Sequence, residues 1–234
     1  MFYAPDILTT HELPADEALH AVRVLRLRAG DTLTIVDGQG HICDAVLTSA
    51  DGHGHCRVEI TDCREQTPLW SGHLHLAIAP TKNADRMEWL VEKATEVGVD
   101  EISFLDCRNS ERHVLKLDRL QRVAVAAIKQ SLKARLPRLN AMTDFARFVE
   151  RPFNGQKFIA HCHEGGKADL ASRLSHGEDV LTLIGPEGDF SADEVSLAES
   201  LGYEAVSLGR ARLRTETAAL VAATLMSLSH QQTP

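Results

Sequence analysis

Two loops near the end of the chain carry residues whose types and spacing could bind a ligand. The first loop, residues 185–190, follows the apolar run 181–184 and precedes Ser191 and Glu194, whose spacing predicts a capping box at a helix start. Two glycines and a proline let the backbone approach a ligand closely, and open α/β sheets bind ligands at the carboxyl ends of their strands. The first loop therefore indicates a ligand site or, alternatively, a tight turn before a well-capped helix.

The second loop follows the same plan and is rich in arginine. Residues 209–217 lie between a strand-like run at 205–208 and an apolar helix, and Arg214 is the arginine nearest that helix. Backbone amides at a helix start and a nearby guanidinium suit an anionic or carboxylate-bearing ligand. Alternatively, the arginines pair with Glu187 or Glu216 as scaffold salt bridges. Two consecutive strand, glycine loop and helix units favour the ligand site.

The elements around these loops predict an α/β domain from residue 73 onward. Strand-like and helix-like segments alternate, which is typical of a mostly parallel sheet covered by helices. The predicted strands are 74–79, 102–105, 157–161, 180–184 and 205–208, and the predicted helices include one ending at Gly98, one at 112–136 and one at 216–228. The last helix is apolar on nearly every side, so we expect it to be buried in the core or against a second copy of the chain.

Residues 1–70 predict a smaller, β-rich domain. After an early helix, the alternating run 31–36 and the strand-like run 42–47 flank the turn residues 37–40, which predicts a hairpin. A second turn at 51–54 leads into another alternating run, 56–60. These elements favour a small barrel or sandwich that ends before residue 66.

The composition is that of an ordinary globular protein. Of the 234 residues, 44% are hydrophobic and 25% are charged, which excludes disordered, collagen-like and coiled-coil chains. Apolar runs such as 123–128 are far shorter than the roughly 18 residues that a membrane span needs. The first residues show no basic region followed by an apolar stretch, so we expect a cytoplasmic protein without a membrane partner.

The cysteines and histidines do not predict a metal centre. The five cysteines lack a C-x-x-C pair and framework spacing, so we expect free thiols at Cys43, Cys56, Cys63, Cys107 and Cys162. The clusters at 53–56 and 161–163 lack the paired ligand spacing of a tetrahedral zinc site. We interpret them as polar turn residues and expect no metal.

Charge is segregated along the chain. The net charge of −8 argues against an indiscriminate nucleic-acid binder. Residues 108–138, however, hold nine basic residues against two acidic ones, a local charge of +7. The predicted helix at 112–136 places several of these cations on one face, which either binds RNA or is a solvated surface.

Two long motifs resemble a known family of enzymes. The dinucleotide-binding G-x-G-x-x-G and the phosphate-binding G-x-x-x-x-G-K-[ST] signatures are missing from the sequence. The runs IGPEGDFSADE (184–194) and LGRARLRTETAAL (208–220) instead resemble the SPOUT-class methyltransferases that modify N3 of a uridine in 16S ribosomal RNA. Further similar positions lie along the whole chain, at 20–26, 30–31, 37–40, 82, 92–98, 110–112, 119, 130–131 and 137.

The resemblance implies an architecture and partners that the residues alone do not predict. It implies a PUA-like, RNA-binding β-barrel at 1–70 and a SPOUT methyltransferase domain with a deep trefoil knot at 73–234. It also implies S-adenosylmethionine as the cofactor, 16S ribosomal RNA within the small subunit as the partner, and a homodimer. Two positions differ from the commoner family pattern: Asp189 replaces a glycine, and Lys129 replaces a glutamate.

If the chain has this function, the chemistry of the reaction and the local charge assign roles to individual residues. Arg214 is the candidate cation beside the uracil oxygens, and Glu187 or Glu216 accepts the N3 proton or orients Arg214. The expected cofactor contacts are Ile184, Gly185, Glu187, Gly188, Leu208, Gly209 and Leu213, with the glycines required because a Cβ would block the cofactor's approach. The expected RNA contacts are Arg23, Arg26, Lys82, Arg112, Arg119, Lys129 and Lys133.

Two other functions remain as alternatives. The same fold could methylate another RNA, such as a transfer RNA. A non-catalytic RNA-binding factor in ribosome assembly is the alternative from a different class, although it would have no need for two glycine-lined loops.

Overall fold

The computed structural model describes residues 1–51 and 53–231, which form two compact units. The first unit contains Met1–Pro68 and Val125–Leu136, and the second contains Leu69–Ala124 and the chain from Pro137 onward. Gly52 of the predicted turn at 51–54, and residues 232–234 of the predicted second domain, lie outside the described residues. The sequence-based domain boundary stays a prediction, and the contacts differ from it by grouping 125–136 with the first unit.

The first unit is built on a four-stranded sheet. Its strands are β1 (Phe2–Tyr3), β2 (Thr32–Val36), β3 (His41–Ala50) and β4 (Cys56–Glu65), in the order β1-β2-β3-β4. β1 is parallel to β2, whereas the β2–β3 and β3–β4 pairs are antiparallel. The hairpin predicted from the turn residues 37–40 is confirmed. Closure of this sheet into a barrel stays a prediction.

The turn of the β2–β3 hairpin is held by one carboxylate. Oδ1 of Asp37 accepts hydrogen bonds from the backbone N–H groups of Gln39, Gly40 and His41, at 2.7, 3.1 and 3.0 Å. Gly38 has a φ of +78°, a backbone conformation that L residues with a Cβ rarely adopt. The turn residues therefore set the register of the two strands.

Short helices cover the core of the first unit. They are α1 (Ile7–Thr10), α2 (Ala15–Leu19) and a π-helical turn at His20–Val24. The core beneath them contains buried apolar side chains from the amino-terminal segment and from β2, β3 and β4, among them Phe2, Ile7, Ala18, Ile35, Leu47 and Val58.

The prediction of five free thiols is wrong for two cysteines. Cys43 on β3 and Cys63 on β4 face each other in the antiparallel register, with Cα atoms 4.1 Å apart, and form a disulfide. Cys56, Cys107 and Cys162 are free. The spacing of cysteines along a chain does not reveal cross-strand register, which is why sequence analysis missed this pair.

The second unit contains an eight-stranded sheet in which every pair of neighbours is parallel. Its strands are β5 (Leu74–Ile78), β6 (Glu101–Asp106), β7 (Arg138–Leu139), β8 (Thr143–Asp144), β9 (Gln156–Ala160), β10 (Ala168–Asp169), β11 (Val180–Ile184) and β12 (Glu204–Ser207). Their order is β10-β12-β9-β11-β5-β6-β7, with β8 paired to β6. The predicted parallel α/β sheet is thus confirmed. β11 and β5 are buried along their whole length, as expected for central strands.

The remaining helices follow or precede these strands. They are α3 (Ala84–Val97), α4 (Leu117–Gln130), α5 (Phe145–Val149), α6 (Ala192–Ser200) and α7 (Thr215–Gln231), with a 3₁₀ turn at Leu170–Ser172. Gly98 caps α3 with a φ of +104°, as its sequence position predicts. Ser191 and Glu194 form the predicted capping box of α6.

α4 is shorter than the predicted helix at 112–136, which is wrong at both ends. Residues 112–116 precede the helix, and Leu132 has a φ of +56°, after the helix has ended. The N–H of Lys133 returns to the carbonyl of Ile128, which closes the last turn without a glycine. A helix over 112–136 would place Val114 and Leu132 on its apolar face, but in the structure they are 75% and 63% exposed.

α7 is only partly buried within one chain. Ala219, Ala222, Ala223 and Met226 are fully buried, whereas Leu228 is 51% exposed. The apolar helix therefore covers the core with one side and presents some apolar surface with another. In the part of the chain that the structure describes, no helix has the length and apolar character needed to cross a bilayer.

Candidate functional site

A cavity of about 1030 Å³ lies where β9, β11 and β12 end. Its walls come from three segments of the second unit: Ala160–Cys162 with Lys167, the first glycine loop, and the second glycine loop with the start of α7. Arg86 of α3 completes the lining. The site is therefore at the carboxyl edge of the sheet, where parallel α/β folds bind ligands.

The first glycine loop is packed against its own neighbours. A Cβ at Gly185 would lie 3.1 Å from the ring and the backbone nitrogen of Phe190, and a Cβ at Gly188 would lie 3.1 Å from the Cβ of Asn109. The side-chain amide of Asn109 donates hydrogen bonds to the carbonyls of Gly188 and Asp189. These two glycines thus allow the loop to pack, in addition to leaving its backbone open to the cavity.

Asp189 stabilises the first loop at a position where the family pattern has a glycine. Its φ is +62°, a left-handed conformation that Asp tolerates better than most residues. Its carboxylate accepts hydrogen bonds from the N–H of Phe190 at 2.8 Å and from the N–H of Cys162 at 2.7 Å. The substitution of glycine is therefore accommodated, and the carboxylate also ties the first loop to the end of β9.

The second glycine loop leaves space on the cavity side. Gly209 has a φ of +109°, and a Cβ built there would meet no atom within 4 Å. The hydroxyl of Ser207 accepts the Gly209 N–H at 3.1 Å, which holds the start of the loop. A side chain at this position would be strained and would also project into unfilled space.

The predicted cofactor contacts come together around this one cavity. All of them line it, namely Ile184, Gly185, Glu187, Gly188, Leu208, Gly209 and Leu213. Arg214, the candidate catalytic cation, lines it as well. Their roles remain predictions, but the structure places these residues from two separate loops at one site.

The two candidate carboxylates have other partners than Arg214. Glu187 is exposed, and its Oε1 accepts the backbone N–H of Lys82 at 3.0 Å. Glu216 is buried, and its Oε1 lies 3.5 Å from a guanidinium nitrogen of Arg86. Glu216 lines a neighbouring smaller cavity rather than the large one.

The segment that follows β9 also lines the cavity, although no sequence motif indicated it. His161, Cys162 and Lys167 line the cavity, and the Nε2 atom of His161 is buried without a hydrogen-bond partner among the described residues. Burial and the nearby Lys167 ammonium lower the pKa of His161. The cluster 161–163 was interpreted as polar turn residues, and its position after a strand was the feature that could have revealed it.

The cavity is electropositive. Its lining includes five cationic side chains and two carboxylates, the cations being Arg86, Lys167, Arg210, Arg212 and Arg214. This excess of positive charge suits a ligand that carries a carboxylate or a phosphate. Among the described residues, no group of three or more His, Cys, Asp and Glu side chains is arranged to hold a metal ion.

Several predicted RNA-binding cations have protein partners. Arg112 donates from its guanidinium to the carbonyls of Thr81 and Lys82, and the Lys82 ammonium lies 2.8 Å from Glu111. The guanidinium Nε of Arg119 lies 2.6 Å from the carboxylate Oε1 of Glu88. Arg112 therefore stabilises the turn before α3, and Arg119 stabilises α3 itself.

The other predicted RNA contacts belong to the first unit. Lys129 forms an ion pair with the buried Glu17 and is itself only 24% exposed in its side chain. Arg26 is exposed and has a φ of +57°, and Arg23 and Lys133 also lie in this unit. An RNA role for all of these residues stays a prediction. Several cations of segment 112–136 contact other parts of the protein, so fewer of them are available to RNA than the local charge of +7 suggested.

A polar network lies at the opposite, amino-terminal edge of the sheet. The imidazole Nε2 of His75 lies 2.8 Å from the Ser103 hydroxyl, and the Asn140 amide donates to both Ser103 and Glu101. His73 approaches the other oxygen of Glu101 at 3.0 Å. Burial lowers the pKa of His75 to about 4, against the opposing effect of Glu101. This edge is therefore closed by partners within the protein.

Comparison with known proteins places this architecture in a class. The family model of an RNA methyltransferase domain matches residues 68–227, and that of an RNA methyltransferase PUA domain matches residues 13–61. A parallel α/β unit with two glycine loops on one cavity, together with these matches, defines a methyltransferase that acts on RNA.

Individual relatives narrow the class further. Ribosomal RNA small subunit methyltransferase E of Bacillus subtilis is 28% identical over 95% of this chain and 90% of its own length. A probable rRNA-methyltransferase from Porphyromonas gingivalis has a structure with a TM-score of 0.92 and 44% identity, covering 98% of this chain and 97% of that one. The Neisseria gonorrhoeae ribosomal RNA small subunit methyltransferase E, bound to S-adenosyl methionine, has a TM-score of 0.84 and 27% identity over 98% and 97% of the two chains. The chain belongs to the RNA methyltransferase family that includes ribosomal RNA small subunit methyltransferase E.

Proposed function

We propose that the chain transfers a methyl group from S-adenosylmethionine to N3 of a uridine in 16S ribosomal RNA. The observation that carries this proposal is the convergence of the two glycine loops on one electropositive cavity of about 1030 Å³. The loops supply backbone groups from two strand ends, as the sequence resemblance implies for the cofactor site. The S-adenosyl methionine bound to the Neisseria gonorrhoeae protein supports the choice of cofactor.

The residues present suit this cofactor. Gly209 leaves open space where any other residue would place a Cβ, and the buried His161 Nε2 lacks a partner that a ligand could supply. Lys167 and the arginines of the second loop suit the cofactor's carboxylate. S-adenosylmethionine, when bound, supplies an electrophilic methyl group together with its own leaving group.

The protein's own contribution is orientation and charge. Holding the reacting atoms in line is worth roughly 7–11 kcal/mol, whereas general base catalysis typically contributes about 10²–10⁴-fold. Uracil N3 is weakly acidic, so the Arg214 guanidinium beside the ring oxygens would favour the deprotonated ring. Glu187 or Glu216 accepts the proton from N3.

The assembly is proposed to be a homodimer in the cytoplasm that modifies RNA within the small ribosomal subunit. Support comes from α7, an apolar helix whose Leu228 is 51% exposed in a single chain. We also propose the trefoil knot that the sequence resemblance implies. The position of β11 between β9 and β5, and the two loops that follow β11 and β12, are consistent with such threading.

The direct test is mass mapping of 16S ribosomal RNA from cells that lack the protein. One uridine should lose a methyl group on N3, and the purified protein with S-adenosylmethionine should restore it on small subunits from those cells. If a transfer RNA position loses the methyl group instead, the substrate assignment is wrong. If no RNA changes and the protein does not bind S-adenosylmethionine in calorimetry, a non-catalytic RNA-binding role replaces the proposal.

A further inference from the structure

A second, smaller cavity adjoins the first and is not explained by cofactor binding. It has a volume of about 280 Å³ and lies between α3 and the start of α7. Its lining residues are Asp85, Arg86, Trp89, Glu216 and Thr217. Because Arg86 lines both cavities, the two spaces share a wall. A volume near the low end of the ligand-pocket range suits a single small ring.

One wall of the small cavity carries an unsatisfied carboxylate oxygen. Glu216 is 6% exposed, and its Oε2 is buried without a hydrogen-bond partner among the described residues. Its other oxygen lies 3.5 Å from Arg86, which is longer than an ordinary charge-assisted hydrogen bond. Burying an acceptor without a donor costs free energy, so a ligand that donates a hydrogen bond to this oxygen would be stabilised here.

The lining of the small cavity also includes an exposed indole. Trp89 is 40% exposed, whereas tryptophan side chains are highly buried on average. Every nucleobase has a flat π face that stacks on such a ring, and this stacking does not depend on sequence. The small cavity thus combines a stacking surface with an acceptor, Glu216, and a donor, Arg86.

We propose that this small cavity binds the target uracil, turned out of its RNA strand. The inference rests on the proposed function and names the part of the site that takes the acceptor base. Uracil presents an N3–H donor between two carbonyl acceptors. Glu216 Oε2 accepts the N3–H, the Arg86 guanidinium donates to a ring carbonyl, and Trp89 stacks on the ring.

The same groups explain selection of uracil over the other pyrimidine. N3 of cytosine carries no hydrogen, so it would place a lone pair against the Glu216 carboxylate. A site with a buried polar group rejects a ligand that leaves that group unpaired. Because Arg86 lines both cavities, a base in the small cavity lies beside the cofactor cavity.

The test measures methyl transfer to unmodified small ribosomal subunits together with S-adenosylmethionine binding by calorimetry. Trp89→Ala should lower kcat/KM for the subunits about 10- to 100-fold, which is the loss expected for one stacked base. Trp89→Phe should recover most of that loss, because phenylalanine also stacks. The control Glu92→Gln, on the same helix but outside both cavities, should behave like the unaltered protein.

A second readout follows the indole itself. The chain has two tryptophans, so Trp70→Phe leaves Trp89 as the only one. Subunits that carry the unmodified uridine should quench its fluorescence, and subunits already methylated on N3 should quench it less, because Glu216 then lacks its donor. Cofactor affinity should be unchanged in every one of these variants.

The possible outcomes separate this inference from the proposed function. If the unaltered protein neither binds S-adenosylmethionine nor methylates subunits, the proposed function itself fails. If it does both, and Trp89→Ala keeps kcat/KM within about twofold, the uracil pocket is wrong. Loss of activity accompanied by dissociation of a dimer or by loss of cofactor binding would assign Trp89 to a different contact and also overturn the pocket.

Discussion

The two edges of the parallel sheet use polar groups in opposite ways. The amino edge holds a partly buried network in which four polar side chains are hydrogen-bonded to one another, namely His75, Ser103, Glu101 and Asn140. At the carboxyl edge, the two glycine loops leave backbone groups and cations facing a cavity. We therefore expect the amino edge to contribute to stability and the carboxyl edge to function, although the same strands connect them.

This difference has a simple physical origin. Parallel strands all end at one edge, so the loops that follow them meet there and can be shaped without altering the core. Polar groups that are buried at the amino edge must find hydrogen-bond partners inside the protein. Three predictions test whether stability depends on the amino edge and activity on the carboxyl edge.

The largest effect is expected at the carboxyl edge. Arg214→Ala should lower single-turnover methyl transfer about 10²–10³-fold, since a cation that stabilises developing charge typically contributes this much. Affinity for S-adenosylmethionine, measured by calorimetry, should stay within a few-fold. Arg173→Ala is the control, because Arg173 pairs with Glu204 and lies outside the cavity lining. Unchanged turnover in Arg214→Ala would discard the catalytic assignment.

An effect on stability rather than activity is expected at the amino edge. The pKa of His75 is about 4 in the folded protein and about 6.5 in the unfolded chain. The unfolded state therefore binds the proton more readily, and the free energy of unfolding should fall by roughly 3 kcal/mol between about pH 7 and about pH 4.

Urea unfolding at a series of pH values measures this loss. His75→Gln removes the titrating group, so its free energy of unfolding should depend less on pH over the same interval. If the variant and the unaltered protein show the same pH dependence, His75 is not held neutral by its network. Methyl transfer by the folded variant should persist, because the network lies away from the cavity.

The smallest effect is expected when two glycines with positive φ values are each replaced by alanine. Gly209 and Gly165 both have positive φ values, +109° and +141°, and a Cβ at either position would meet no atom within 4 Å. An alanine at either position should cost about 1–2 kcal/mol of stability through backbone strain. Only Gly209→Ala should also weaken S-adenosylmethionine binding, by about tenfold, because only Gly209 lines the cavity. Equal affinity in the two variants would mean that the second loop does not contact the cofactor.

Local patterns made much of the fold predictable from the sequence. β11 and the capping box of α6 occupy the predicted positions because strand propensity and cap chemistry act over a few residues. The positions of both glycine loops could be predicted for the same reason. Their meeting at one cavity followed from parallel strand order.

Contacts between distant segments were not predictable from the sequence. The Cys43–Cys63 disulfide depends on strand register, and the small cavity depends on α3 packing beside the start of α7. The basic segment was the clearest failure of local reasoning, because its composition does not show that Arg112 donates to carbonyls and Lys129 pairs with a buried glutamate. Charge counts describe what a segment contains and not what its side chains contact.

A crystal structure of the protein grown with S-adenosylhomocysteine would test the central claim most directly. The account predicts density for this product between the backbone of residues 184–188 and that of residues 208–213, with the small cavity at Trp89 and Glu216 left open for a base. Density at another location, or a cavity that stays empty at saturating product, would contradict the assignment of the two glycine loops.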